Sequence, residues 1–138
     1  MSVSVSIELY NELGELERLR ETIERLQAEA GLDPQLAFHL QLVCDELVTN
    51  TISYAYPKDG RHGIVVTFTA TESEVEIRIV DEGVPFDPFA RPDPDTSLGI
   101  DERGIGGLGI YFVRQVMDEV AYTREDGCNV VRLAKKRR

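Results

Sequence analysis

The stretch "EVEIRIVDEG", Glu74 to Gly83, narrows the possible folds more than any other part of the chain. Val75, Ile77 and Ile79 fall on one side of an extended strand, and Glu76 and Arg78 fall on the other. A strand with this period of two has one dry face and one wet face. A parallel sheet covered by helices on both faces would bury both sides of its strands, so the pattern predicts antiparallel pairing. The preceding segment "IVVTFTA" is a second strand, joined to the first by the short link "TES".

The rest of the chain supplies elements to cover one face of such a sheet. "VSVSIEL" (Val3 to Leu9) alternates and predicts a strand. Leu16, Leu19, Ile23, Leu26 and Ala30 recur at helical spacing, with a stop at Gly31. Asp33 is placed to cap a second helix, and Pro34 suits its first position. That helix runs to about Pro57. A third helix is predicted over roughly Leu108 to Met117, followed by strands near "EVAYT" and "NVVRL" with a tight turn at Asp126-Gly127. The order is strand, helix, helix, strand, strand, long loop, helix, strand, strand. The expected fold class is α+β: a two-layer sandwich with a mostly antiparallel, mixed sheet and about three helices on one face. There is no repeat or linker, and the 138 residues suit a single domain, 1–138.

Charge and cysteine content exclude several functions. The chain carries 25 acidic and 15 basic residues, a formal net charge of −10. This disfavours broad contact with nucleic acid, and the basic end "KKRR" reads as a solvated tail. Acidity does not exclude a nucleotide, because a metal ion can screen phosphates. Cys44 and Cys128 lack CxxC spacing and read as reduced thiols. With only His39 and His62, a histidine-rich metal site is not expected. No apolar run is long enough to cross a membrane, and "MSVSVSIELYNE" does not read as a secretion signal, so the expected location is cytoplasmic.

The glycines raise a question of their own. Gly104, Gly106 and Gly109 have the GxGxxG spacing of dinucleotide-binding proteins. That fingerprint needs a buried strand running directly into the glycine turn. Here "RPDPDTSLGIDER" precedes it, and no such strand can be drawn. A P-loop needs a lysine and a hydroxyl after its glycines, and lysine occurs only at 58, 135 and 136. Glycines before a helix can still present backbone N–H groups to an anion, aided by the helix dipole. They serve equally as a helix cap after a flexible turn.

Two more segments bear on this. In "CDELVTN", Glu46 and Asn50 share one helix face beside the apolar stripe of Leu36, Leu40, Val43 and Leu47, and Asp45 is expected to point well away from that stripe. Glu46 and Asn50 can cap a loop, or activate a nucleophile and ligate a hard cation through oxygen. In "IVDEGVPFDP", Asp81 ends a strand and Gly83 follows. The pair can be a plain turn, or can accept a hydrogen bond from an amino group such as that of adenine while a flat ring approaches Gly83.

In order and spacing, these three segments resemble the Bergerat-type ATP-binding fold of the gyrase, chaperone, histidine-kinase and mismatch-repair superfamily. More narrowly, "ELVTN", "DEGVPFDP", and "GGLGI" with "MDEVAY" behind it resemble the anti-sigma-factor serine kinases of bacterial partner-switching systems. The resemblance spans about Val3 to Lys136. It implies that ATP is the nucleotide. Asn50 would hold Mg2+ on the phosphates, and Glu46 would be the general base. Asp81 would bind the adenine amino group, with Gly83 beside the ring. The segment from Phe86 to Gly104 would form a lid, and Gly106, Gly107, Leu108 and Gly109 would supply donors to the phosphates. Partners implied are a small anti-sigma-factor antagonist as phosphoacceptor and a sigma factor; a homodimer is also implied. Three positions depart from the family pattern. Pro85 replaces a second glycine, as in the serine-kinase branch. Asn129 or a neighbour stands for a threonine on the last strand, and Tyr54 for a histidine. Histidine-kinase, gyrase and chaperone roles would need further domains. The readings that compete are a protein kinase, an ATP-dependent binding module without phosphotransfer and, least favoured, a dinucleotide enzyme.

Overall fold

The first element of the computed structural model is strand β1, Val3–Tyr10. The structure describes residues 2–56, 60–90 and 107–137. After a short 3-10 turn come helices α1, Leu16–Ala30, and α2, Pro34–Asn50. The hairpin strands β2, Gly63–Ala70, and β3, Glu74–Asp81, follow. Helix α3, Gly107–Val116, leads to β4, Glu119–Glu125, and β5, Cys128–Lys136. The α+β class read from the sequence is what the chain forms. All four strand pairings are antiparallel, and the sheet order is β1-β2-β3-β5-β4.

Register explains which side chains meet. Val5, Phe68, Ile77 and Leu133 are successive cross-strand partners and therefore share one face. Ile7, Val66, Ile79 and Val131 form the next row on the same face. This face joins Leu19, Ile23 and Leu26 of α1, Leu40, Val43 and Leu47 of α2, and Ile110 and Val113 of α3 in a single core. The opposite face carries Ser6, Thr67, Glu76, Arg78 and Arg132, and the Ser6 and Thr67 hydroxyls bond across it at 2.6 Å.

Helix α1 is held by its buried stripe rather than by its surface charges. Its ion pairs, Arg18–Glu15, Arg20 with Glu17 and Glu24, and Arg25–Glu29, lie at the surface. Exposed pairs of this kind add little to stability, because water screens them and ordering two long side chains costs entropy. Burying one Leu or Ile contributes about 1.5–3 kcal/mol, and three are buried here. The basic end is not the solvated tail expected: Lys135 and Lys136 belong to the last strand, and Arg137 closes the far end of α1 by donating to the carbonyls of Ala30, Gly31 and, on the β2–β3 turn, Thr71.

One expectation at a helix end fails. The Asp33 side chain makes no capping hydrogen bond to α2; its backbone carbonyl accepts from the Ala37 N–H at 3.0 Å. Pro34 in the first turn already removes one N–H that would otherwise want a partner. At the other end, α2 runs without a break into a π-helical turn, Thr51–Ala55, which widens the coil beside the candidate site. Asp126 and Gly127 both have positive φ, 50° and 77°, as the expected two-residue hairpin requires. Among the described residues no helix is long and apolar enough to cross a membrane.

Burial separates the two cysteines. Cys44 is fully enclosed on α2, and burial, with the Asp45 charge adding to it, pushes its thiol far above the ordinary range. Cys128 is half-buried at the start of β5. Alkylation of the native protein should therefore label Cys128 and spare Cys44, with both labelled in denaturant. Rapid double labelling of folded protein, read by intact mass, would contradict this core.

Candidate nucleotide and phosphotransfer site

Helix α2 carries the site. Glu46, Asn50 and Tyr54 follow one another at intervals of four along the helix and its π-helical extension. Such residues line one side of the coil, each about one turn from the next. The Asn50 amide nitrogen donates to Glu46 Oε1 at 3.4 Å, a long and weak bond that nevertheless fixes which end of the amide faces the carboxylate. The amide oxygen therefore faces away from Glu46.

Gly109, on the first turn of α3, meets the same carboxylate. A Cβ at position 109 would lie 2.0 Å from the Glu46 carboxyl carbon. Only a residue without a side chain lets α3 approach so closely. Glu46, Gly109, Leu42, Thr49, Phe112 and Asp45 line an open groove of about 450 Å³. Asp45, expected to point well away from the apolar stripe, lines this groove, which contains no residue of that stripe. Asp45 is half-buried, burial raises its carboxyl above the ordinary range, and the Gln41 amide offsets part of that at 2.8 Å.

A second group of residues gathers where β3 ends. Asp81 is 4% exposed and accepts two hydrogen bonds on Oδ1, from the Gly83 N–H at 2.8 Å and from the Asn129 amide at 2.9 Å. Oδ2 makes no hydrogen bond among the described residues. Burial raises the Asp81 carboxyl above its ordinary value. The donors Asn129 and Gly83, and then the charge of Arg124, pull it back in part. Gly83 packs against the end of the π-helical turn: a Cβ there would lie 2.3 Å from the Ala55 carbonyl oxygen, which also accepts from the Val84 N–H at 2.8 Å. Phe86 rests on Tyr54, ring centroids 5.3 Å apart, and its N–H donates to Asn129 Oδ1 at 3.1 Å. The two groups are thus joined by one strut: Glu46 and Asn50 on α2, and Tyr54 and Ala55 on its extension against Phe86 and Gly83.

Of the expected phosphate donors, Gly107 and Leu108 begin α3 and Gly109 lies within its first turn. Gly106 and most of the expected lid, Phe86 to Gly104, lie outside the described residues. Among the described residues no cluster of three or more His, Cys, Asp or Glu could hold a metal unaided. What the site offers is the Asn50 amide oxygen, on the side of the amide turned away from Glu46. That donor set fits magnesium, which takes oxygen ligands, keeps several waters and is shared with substrate phosphates. The sequence reading assigned no role to Arg124, or to Tyr122, which it noted only as the end of the segment "MDEVAY". It left Asn129 only as an uncertain match to a family position.

The chain belongs to the histidine kinase-like ATPase domain family, which it matches over residues 9–135, and this implies ATP as the nucleotide. It is 32% identical over 107 residues to the serine/threonine-protein kinase BtrW of Bordetella bronchiseptica, covering 78% of this chain and 75% of that one. It is 31% identical over 119 residues to the serine-protein kinase RsbW of Bacillus pumilus, covering 81% and 73%. The crystal structure of the RsbU and RsbW domains of a Mycobacterium tuberculosis protein superposes with a TM-score of 0.67 at 18% identity. That match takes in 99% of this chain and 33% of the solved one, and it supports the fold.

The contact between Gly109 and Glu46 gives a direct test. Gly109→Ala should displace the Glu46 carboxylate, because the flexible end of that side chain yields before helix backbone does. Phosphotransfer should fall at least tenfold, on the low side of what a positioned base contributes, about 10²–10⁴-fold. The melting temperature should change little. Full activity in Gly109→Ala would show that the carboxylate position is immaterial.

Proposed function

We propose that this chain is an ATP-dependent serine/threonine protein kinase of the partner-switching type. It passes the γ-phosphate to a small anti-sigma-factor antagonist and also holds a sigma factor or similar regulator. A cytoplasmic location and pairing of two copies belong to the same proposal. The observation that carries it is the placement of Glu46: a carboxylate one turn from the Asn50 amide and against Gly109 at the start of α3. A module that only bound ATP would have no need of a base there.

The chemistry follows from these positions. The acceptor hydroxyl oxygen bonds to the γ-phosphorus as the bond from that phosphorus to its bridging oxygen breaks, and ADP leaves with the electron pair. Glu46 takes the hydroxyl proton. Asp81 Oδ2 accepts from the adenine amino group, and Gly107, Leu108 and Gly109 face the phosphates through backbone N–H groups and the helix dipole. Magnesium, held by Asn50, would neutralise phosphate charge.

Two experiments separate the roles. Glu46→Gln keeps size and polarity but cannot take a proton. It should retain ATP and partner binding while single-turnover phosphotransfer falls by about 10²-fold or more. If the drop merely tracks the folded fraction in a parallel thermal melt, Glu46 is a brace and not a base. If wild type binds ATP and never phosphorylates an antagonist of its own organism, the chain is an ATP-dependent binding module.

Asn50→Ala should abolish most of the magnesium-dependent part of ATP affinity and leave the metal-free affinity nearly unchanged. ATP titrations with magnesium and with excess chelator read both quantities. Wild-type binding that ignores the chelator would remove Asn50 from any metal.

A further inference from the structure

The outer face of α2 changes character along its length. Phe38, Leu42, Glu46 and Thr49 follow one another three or four residues apart, and Asp45 adjoins Glu46. Residues at that spacing share one side of a helix. This side is not the buried one, since Phe38 is 60% exposed and Leu42 37%. Phe112 of α3 stands across from it. Ring contacts from Phe38 to His39, centroids 6.2 Å apart, and from His39 to Phe112, 6.3 Å apart, link the two helices. Leu42 and Phe112 supply the apolar lining of the groove that also holds Asp45, Glu46 and Thr49, and Gly109 lines it without a side chain to fill it. A single exposed apolar residue needs no explanation, but a row of them running into the proposed base does.

One end of the groove is thus apolar, and the other carries two carboxylates. Asp45 Oδ1 accepts from the Gln41 amide at 2.8 Å, and Oδ2 accepts no hydrogen bond among the described residues. Burial holds this carboxyl above its ordinary range, so a cation placed there would stabilise a charge the chain only partly satisfies. The gradient fixes which way an occupant lies. A hydroxyl that gives its proton to Glu46 has to sit at the carboxylate end. Leu42 lies one turn back along α2 and Phe38 two turns back, about 6 and 12 Å at 1.5 Å per residue. A second copy of the chain is a poor occupant. A two-fold contact centred on the groove would set Asp45 and Glu46 against their own equivalents, in a chain that already carries a net charge of −10.

We infer that this groove is where the phosphoacceptor docks, and that it takes a segment carrying the accepting hydroxyl, a large apolar side chain one to two helical turns from it, and a basic side chain that reaches Asp45. The docking site so assigned rests on the proposed kinase activity, with Glu46 as its base. Leu42, Phe38 and Phe112 hold the apolar side chain, as a groove between two helices does for an amphipathic partner.

Steady-state phosphotransfer by the full chain to an antagonist of the same organism, in magnesium-ATP, tests the assignment. Phe38→Ser should raise KM for the antagonist about tenfold and leave the Kd for magnesium-ATP within about twofold. Leu42→Ser should raise KM by about tenfold or more. Val65, 38% exposed on the open face of the sheet, is the control, and Val65→Ser should leave KM unchanged. Asp45→Asn should raise KM about three- to tenfold and flatten its dependence on salt, because one charge pair is lost. On the antagonist, alanine replacement of each large apolar residue within two helical turns of the phosphorylated hydroxyl should find one whose effect is not additive with Leu42→Ser. Unchanged KM in both Phe38→Ser and Leu42→Ser overturns the inference, and so does an equal rise in Val65→Ser. Additivity at every such antagonist position overturns it too, since no antagonist side chain would then be meeting Leu42. If Phe38→Ser turns a dimer into a monomer while KM stays in place, the groove joins two copies and the inference is lost. Should Leu42→Ser not fold, Phe38→Ser decides alone, because its ring lies mostly in solvent. Phosphotransfer with KM untouched in the variants removes this docking site and leaves the kinase standing. A wild type that binds ATP and phosphorylates no antagonist removes both.

Discussion

Much of this structure is arranged around a carboxylate that has to be buried at the end of an apolar strand. Val75, Ile77, Ile79 and Asp81 occupy one side of β3, and the first three enter the core. In the row that crosses the sheet at Asp81, Leu9 and Ile64 are apolar, and Asp81, Asn129 and Arg124 are polar. An isolated carboxylate in such a place is costly. The cost is offset by donors on one oxygen, and supplying them turns the chain after β3 back on itself. That turn brings Gly83 and Val84 against Ala55 and so ties the sheet to the end of α2.

Helix α2 then transmits position from one half of the site to the other. Its buried stripe, Leu36, Leu40, Val43 and Leu47, is locked into the core, and Glu46 and Asn50 stand beside that stripe. The π-helical turn after Asn50 keeps the coil continuous as far as Ala55, so Tyr54 reaches Phe86 and Ala55 reaches Gly83. At the other end, α3 is admitted next to Glu46 by the missing side chain at Gly109. In the proposed mechanism this strut would tie base recognition to proton transfer, and small displacements of reacting groups are expensive in rate.

The chain's acidity gives this arrangement a second consequence. With a net charge of −10, the protein as a whole repels a triphosphate. Attraction would have to be local and oriented, as the proposed backbone N–H groups at the start of α3 and a shared divalent cation would supply it. Positive side chains near the base pocket are spent differently: Arg124 donates to the Gly83 carbonyl and to Asn129, shaping the loop.

Alternation and helical spacing were sufficient to place every strand and helix to within a few residues, because those periods record which face each element buries. The one-sided pattern of Val75 to Ile79 likewise determined an antiparallel sheet with helices on one face. Local spacing also marked Glu46 with Asn50, and Asp81 with Gly83, since each pair lies within one turn or one loop. Asp81 shares the parity of Val75, Ile77 and Ile79, but its burial is seen only in the structure. Only tertiary structure decided the partners of Asp81. Asn129 lies 48 residues further along the chain and reaches Asp81 because β5 inserts between β3 and β4. Strand insertion order leaves no periodic trace in a sequence; it follows from which pairing lets α3 pack on α2 and close the core. For the same reason the contact of Gly109 with Glu46 arises from packing between elements whose separate sequences show nothing of it, whereas Tyr122 and Arg124 meet Asn129 across the local β4–β5 hairpin.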